Sequence, residues 1–257
     1  ENAGRRATAR KYALGIALCE VGWILTLFLP HQFYLYGWAV MIPLELSVPM
    51  LAERHEPTRW HPHHIIERYA CFTLIVIGES VLSATTALEV ATDAGLSAPF
   101  VAIIIGSILV LFSFWWLYFS QSHHHITSTS RATFAWGYGH YFIFAALAAT
   151  GGGIAAATDI VVEGKVLYVA SAAVAVPCAV YVVMLWVLCI RYLKYGLGPI
   201  FAIAVAALLG SIALPWPVLP AGLVMVALAV VNTFVQQKHD AAEHADGHQH
   251  RSSDSGH

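Results

Sequence analysis

The chain has 257 residues, of which 58% are hydrophobic and 11% charged, with a formal net charge of −2 and a mean hydropathy of +0.67. Soluble domains carry about 25% charged residues, so this composition excludes an ordinary soluble domain and points to lipid. No nucleic-acid partner is expected.

Eight apolar runs stand out in chain order: 12–29, 33–53, 65–88, 98–120, 134–157, 166–190, 197–214 and 218–235. About 20 apolar residues at ~1.5 Å each cross the hydrocarbon of a bilayer. Continuous apolar runs, without alternation, favour helices over strands. The expected fold is therefore all-α, a polytopic transmembrane bundle of about eight spanning helices. Breaks between runs carry Pro30, Pro57, Pro99, Gly164, Gly196, Pro199, Pro215 and Pro217. The weakest division separates 197–214 from 218–235, where a re-entrant pair is the alternative.

Positive charge orients such a bundle. With alternating crossings and a cytoplasmic N-terminus, twelve of the thirteen Lys and Arg residues fall on the inner side, and Lys165 falls outside. Both termini are then expected in the cytoplasm. Residues 1–11 read as a cytoplasmic N-terminal segment, 12–235 as the transmembrane domain, and 236–257 as a His-rich, disordered cytoplasmic tail.

Three acids fall near the middle of their runs: Glu20, Glu45 and Glu79. A charged residue at the helix centre opposes insertion by about 2.5–3.5 kcal/mol on a biological insertion scale. No Lys or Arg lies at matching depth. Two readings remain open for these acids. They are interhelical hydrogen-bond partners, or they line a hydrated path that binds protons or cations.

On the third run, His64, Arg68, Glu79, Ser83 and Thr86 share a stripe about 100° wide. Arg68 and Glu79 lie about 16 Å apart along the axis, too far for contact. Ser83 is one turn beyond Glu79 and within reach of it. Glu67 and Arg68 sit at the inner surface. His140 enters the fifth run and reads equally as a proton shuttle or as a hydrogen-bonded core residue. Pro43, Pro49 and Pro177 suggest kinks, and Gly151-Gly152-Gly153 suggests close helix packing. The four cysteines form no paired spacing and are expected to be buried thiols. Histidines cluster at 61–64, at 123–125 and in the tail, without a closed ligand set. No metal or cofactor is assigned.

Glu45-Leu46-Ser47-Val48-Pro49, followed by His64-Ile65-Ile66-Glu67-Arg68-Tyr69-Ala70-Cys71-Phe72-Thr73-Leu74-Ile75-Val76-Ile77-Gly78-Glu79-Ser80, resembles the bacterial low-temperature-requirement protein A family. Its pattern there runs close to H-x-x-E-R-[FYH]-G-L-F-T-I-I-V-L-G-E-S. Ala70 and Cys71 replace the usual Gly and Leu. Trp115-Trp116-Leu117-Tyr118-Phe119 and Tyr138-Gly139-His140 also resemble family landmarks, and the resemblance covers most of 10–235. An N-terminal E-L-F-[FY]-D-L-V-F-V motif common in the family is not found, so the chain is expected to be a C-terminal portion or a shortened relative. The resemblance implies a multi-pass protein of the bacterial cytoplasmic membrane linked to growth in the cold, with no defined reaction.

The leading functional expectation is a proton- or cation-linked channel or transporter. Glu45 and Glu79 would bind the ion, with Glu20 and His140 assisting. His64, Glu67, Arg68 and Ser83 would form an inner gate or a structural motif. The alternatives are a non-transporting structural or sensory membrane protein, and a membrane-embedded lipid hydrolase using histidine with Glu79 and Ser80. Expected partners are membrane lipids, protons or monovalent cations, and further copies of the chain in an oligomer.

Overall fold

Each of the eight apolar runs forms one α-helix in the computed structural model: α1 (Asn2–Thr26), α2 (Tyr34–Ala52), α3 (Pro62–Thr92), α4 (Ala98–Phe119), α5 (Ser130–Val162), α6 (Leu167–Leu188), α7 (Gly198–Gly210) and α8 (Leu219–Asp254). The structure describes residues 2–54, 62–92, 97–121, 130–164, 167–192, 196–214, 216 and 218–254. Among them no strand occurs. Among the described residues, five stretches are long and apolar enough to cross a membrane: His31–Ala52, Ala98–Phe119, Thr133–Val162, Tyr168–Leu188 and Leu219–His239. These five belong to α2, α4, α5, α6 and α8. The N-terminal part of α1 carries Arg5, Arg6, Arg10 and Lys11, and α3 carries Glu67, Arg68, Glu79 and Glu89.

Two helix ends run furthest past the sequence expectation. α1 begins at Asn2, inside the polar N-terminal segment, because Ala, Arg and Lys are good helix formers. α8 continues past 235 to Asp254, so the loss of apolar residues does not end the helix. Three Ala and three Gln in 236–254 favour helix without needing a core. α7 has 13 residues, about 20 Å of helix, against about 30 Å of hydrocarbon. A 3-10 turn, Ser211–Ala213, extends it before Trp216.

The chain forms two compact units. The first holds residues 1–64 and 129–134, and its centre is the α1–α2 hairpin, turned at Pro30 through a 3-10 turn, His31–Phe33. Thr8, Cys19 and Thr26 of α1 and Met41 and Ala52 of α2 are buried along the seam. Small residues let the helices close: Gly15 meets Val48, and Gly22 meets Met41. The Tyr12 hydroxyl donates to Glu53 at 2.9 Å. Away from the seam, Leu14, Leu18, Val21 and Leu25 are exposed, as suits helices surrounded by hydrocarbon.

The second unit holds residues 65–128 and 135–257. Its core includes Phe114, Leu117, Ile143, Leu147, Leu185, Leu208 and Met225. Without a hydrophobic driving force between helices in lipid, close backbone approach and polar cross-links carry the association. α4 meets the start of α8 at Gly106, whose Cα hydrogen faces the Val218–Leu219 backbone. Gly222 in turn approaches the Gly106 carbonyl. The Tyr181 hydroxyl donates to the Phe114 carbonyl at 2.9 Å and ties α6 to α4. Pro43 and Pro49 lie inside α2, and Pro177 inside α6, without ending either helix.

Candidate functional site

α3 has two working faces, separated by the helical period. Thr73, Ile77 and Ser80 are buried against the second unit's core, while Arg68, Glu79, Ser83 and Thr86 are exposed. Thr73 and Glu79 are six residues apart, which places them about 120° apart around the axis and about 9 Å apart along it. The stripe expected from the sequence is thus intact, and it lies on the face the unit's core does not use. His64 and Glu67 are also exposed.

The buried face of α3 contributes to a cluster around His140. His140 is fully buried, and its Nδ1 lies 2.9 Å from the Trp136 carbonyl oxygen one turn earlier on α5. With the proton on Nδ1, the ring donates to that carbonyl and leaves Nε2 as the acceptor. Four aromatic rings surround the imidazole. Trp136 is 4.0 Å away between centroids, Tyr69 of α3 5.0 Å, Tyr118 of α4 5.9 Å and Phe144 5.9 Å. Tyr69 and Tyr118 each present an edge-to-face ring to it.

Hydroxyl groups continue this cluster. Thr73 Oγ1 donates to the Tyr69 carbonyl at 2.8 Å, and the Thr73 side chain lies beside Tyr118. Gly137 makes room for Tyr69: a Cβ there would stand 2.8 Å from the Tyr69 hydroxyl. Three helices therefore bring an imidazole, two phenols and a threonine hydroxyl together in an apolar interior. Such groups hold and pass protons along hydrogen bonds.

The acids are placed differently. Glu45 accepts from Trp23 Nε1 at 2.8 Å, across the α1–α2 seam. Trp23 is fixed in turn by Trp38, whose ring stands edge-on at 6.3 Å. Glu20 is exposed on α1, about 110° from the seam by helical angle. Glu79 is exposed on α3, beside exposed Ile75 and Leu82. Ser83 does not bond it: the described residues supply neither Glu79 nor Glu20 with a hydrogen-bond or ion-pair partner.

Ser80 does not act with Glu79 either. It is 3% exposed, and its hydroxyl lies 3.0 Å from both the Val76 and the Leu147 carbonyl oxygens. Its one proton is committed to backbone, and Gly151 packs directly on it. A hydrolase nucleophile at Ser80 is therefore not assembled. Of the cysteines, Cys19 and Cys178 are buried and Cys189 is half-buried, whereas Cys71 is exposed on the outer face of α3. Among the described residues, no three His, Cys, Asp or Glu side chains form a metal-ligand group. His61 and His123–His125 lie outside the described residues.

Sequence reasoning named His140 and missed its partners. Nothing in the spacing of Tyr69, Tyr118 and Trp136 shows that they converge. The available signal was their motif membership. Tyr69 and Thr73 lie in the third-helix motif, Tyr118 in Trp115–Phe119, and His140 in Tyr138-Gly139-His140.

No curated protein and no solved structure matches the chain. Residues 1–235 match the family described as bacterial low temperature requirement A protein. That span contains the α1–α2 hairpin, the α3 motif and the whole His140 cluster. Together with the apolar helices it marks a multi-pass integral membrane protein, and the chain belongs to the bacterial low temperature requirement A (LtrA) family.

Proposed function

We propose that this protein is a proton-linked channel or transporter of the bacterial cytoplasmic membrane, with eight crossings and both termini in the cytoplasm. The observation that carries the reading is the buried assembly of His140, Tyr69, Tyr118 and Thr73, contributed by three helices. A buried polar network of this kind is expensive in a membrane interior, and its groups can hold and pass protons. Glu79 serves as the carboxylate that loads from the exposed face of α3, and Glu20 assists on α1. His64, Glu67 and Arg68, at the start of α3, form the inner gate. The placement of twelve of thirteen Lys and Arg residues on one side supports the orientation. Monovalent cations are the alternative cargo for the same carboxylate.

For Glu45 a second role is favoured by its hydrogen bond to Trp23. It fastens the α1–α2 hairpin and is a positioning residue.

The test is dye-reported proton flux into liposomes holding the full chain. Wild-type flux is expected, with at least a tenfold loss in Glu79→Gln and in His140→Phe at equal reconstitution. Wild-type rates in Glu79→Gln would remove Glu79 from the path. A wild-type protein silent to protons, Na⁺ and K⁺ under both gradients would replace transport with a structural or sensory role.

A further inference from the structure

A cavity of about 220 Å³ lies between α3, α4 and α5 in the second unit. Ala84, Ile103, Leu111 and Ile154 supply apolar walls, and exposed Val81 and Ile108 carry the lining to the outer face of the unit. The volume exceeds the roughly 150 Å³ of an apolar cavity known to stay dry and to bind benzene. It is below the ~300 Å³ at which drug-sized pockets begin. A small molecule or one chain segment fits, and a whole lipid does not.

Three hydroxyl residues line it: Thr85, Ser107 and Thr158. Serine and threonine inside helices ordinarily return their proton to the carbonyl one turn back. Thr85 does so to Val81 at 2.8 Å, and Thr158 to Ile154 at 3.0 Å. Ser113, further along α4, does so to Leu109 at 2.6 Å. Ser107 does not. It is 7% exposed, and among the described residues its Oγ has no hydrogen-bond partner. A buried hydroxyl left unsatisfied is costly, so it marks a position where another molecule completes the bond.

Depth narrows the ligand. Ser107 is the tenth residue of the 22-residue α4, close to the middle of the helix and about 14 Å from its first residue. The ester oxygens of a glycerolipid stand at the interface, out of its reach. We infer that the cavity binds a short alkyl chain carrying one hydroxyl or carbonyl oxygen, the chain against Ala84, Leu111 and Ile154 and the oxygen on Ser107. Such a chain comes either from a free amphiphile dissolved in the membrane or from a lipid oxygenated along its chain. The inference is independent of the proton-transport reading.

Photolabelling of the full chain in saturated phosphatidylcholine nanodiscs with a diazirine-bearing octanol tests it. Label is expected on cavity residues, and excess n-octanol should reduce it at least tenfold. n-Octane should compete about fivefold less well, the equivalent of one net hydrogen bond. Ser107→Ala should bring octanol and octane to parity while leaving the labelled residues unchanged. Ala84→Leu, which fills the cavity, should abolish labelling there. Equal competition by octane in the wild type would overturn the role of Ser107. Label spread evenly over the lipid-facing residues, or persisting in Ala84→Leu, would overturn the site. Organic extraction of protein purified without alkanol separates the sources. An oxygenated lipid displaced by octanol identifies the lipid, and its absence identifies the free amphiphile.

Discussion

Gly153 offers the sharpest test of how this bundle is held together. A Cβ built there would overlap the Ala173 carbonyl oxygen of α6 and stand 2.7 Å from the Ala173 carbonyl carbon. One Gly153 Cα hydrogen therefore points at that oxygen. The reason lies four residues on: Pro177 has no N–H, so it cannot close the helical bond to Ala173. Gly153→Ala removes a Cα–H···O contact worth about 0.5–1 kcal/mol. It also forces a methyl into backbone, which has no rotamer to yield, at about 1–3 kcal/mol. Gly152→Ala is the matched control, because its Cβ meets nothing within 4 Å. Both substitutions change the same helix propensity, which cancels between them. The expected gap in stability is about 1.5–4 kcal/mol, or roughly ten- to a thousandfold in the folding equilibrium. Denaturant unfolding of the full chain in micelles, followed by tryptophan fluorescence, reads it. Equal stability of the two variants would refute the claim that α5 and α6 meet backbone to backbone at Gly153.

Within the hairpin, Trp23→Phe deletes the donor to Glu45 and keeps a smaller aromatic ring at the position. A double-mutant cycle with Glu45→Ala should show coupling of about 1 kcal/mol, and zero coupling would dismiss the bond as a determinant of the hairpin. At the α3–α5 crossing, Ser80→Ala should cost about 0.6–1 kcal/mol for the lost interhelical bond. Ser80→Leu, which drives a larger side chain onto Gly151, should cost about 1–3 kcal/mol more. Similar unfolding midpoints for the two Ser80 variants would place Ser80 away from Gly151.

Much of this architecture was legible in the sequence because lipid enforces one simple rule. Every backbone polar group in the hydrocarbon must be satisfied locally, so each apolar run of about 20 residues becomes a helix. Helix ends were harder. The run 12–29 extends back to Asn2, and 197–214 contracts to Gly198–Gly210 followed by a 3-10 turn, since propensity and proline set those limits and hydropathy does not. The Gly151–Gly153 packing site was visible as a motif, but its partners were not. Nothing in the spacing of Ser80, Gly151, Ala173 and Pro177 shows which helices meet. Cys71 escaped for a related reason: an apolar run says that a residue is in the membrane, not that it is inside the protein. In lipid the two are different, and Cys71 faces outward.

The same distinction separates the two sets of candidate residues. Hydropathy drew attention to Glu20, Glu45 and Glu79 because charge within an apolar run is conspicuous. Tyr69, Thr73 and Tyr118 attracted none, since each is ordinary in a membrane helix. On α3 the conspicuous and the inconspicuous residues occupy faces about 120° apart, so one helix serves both an interior cluster and an exterior acid. A substitution on one face leaves the packing of the other untouched. Glu79→Gln should therefore leave thermal stability unchanged while it removes flux, whereas losses at Tyr69 or Thr73 should lower both. The two faces are separable by measuring stability and flux on the same reconstituted protein.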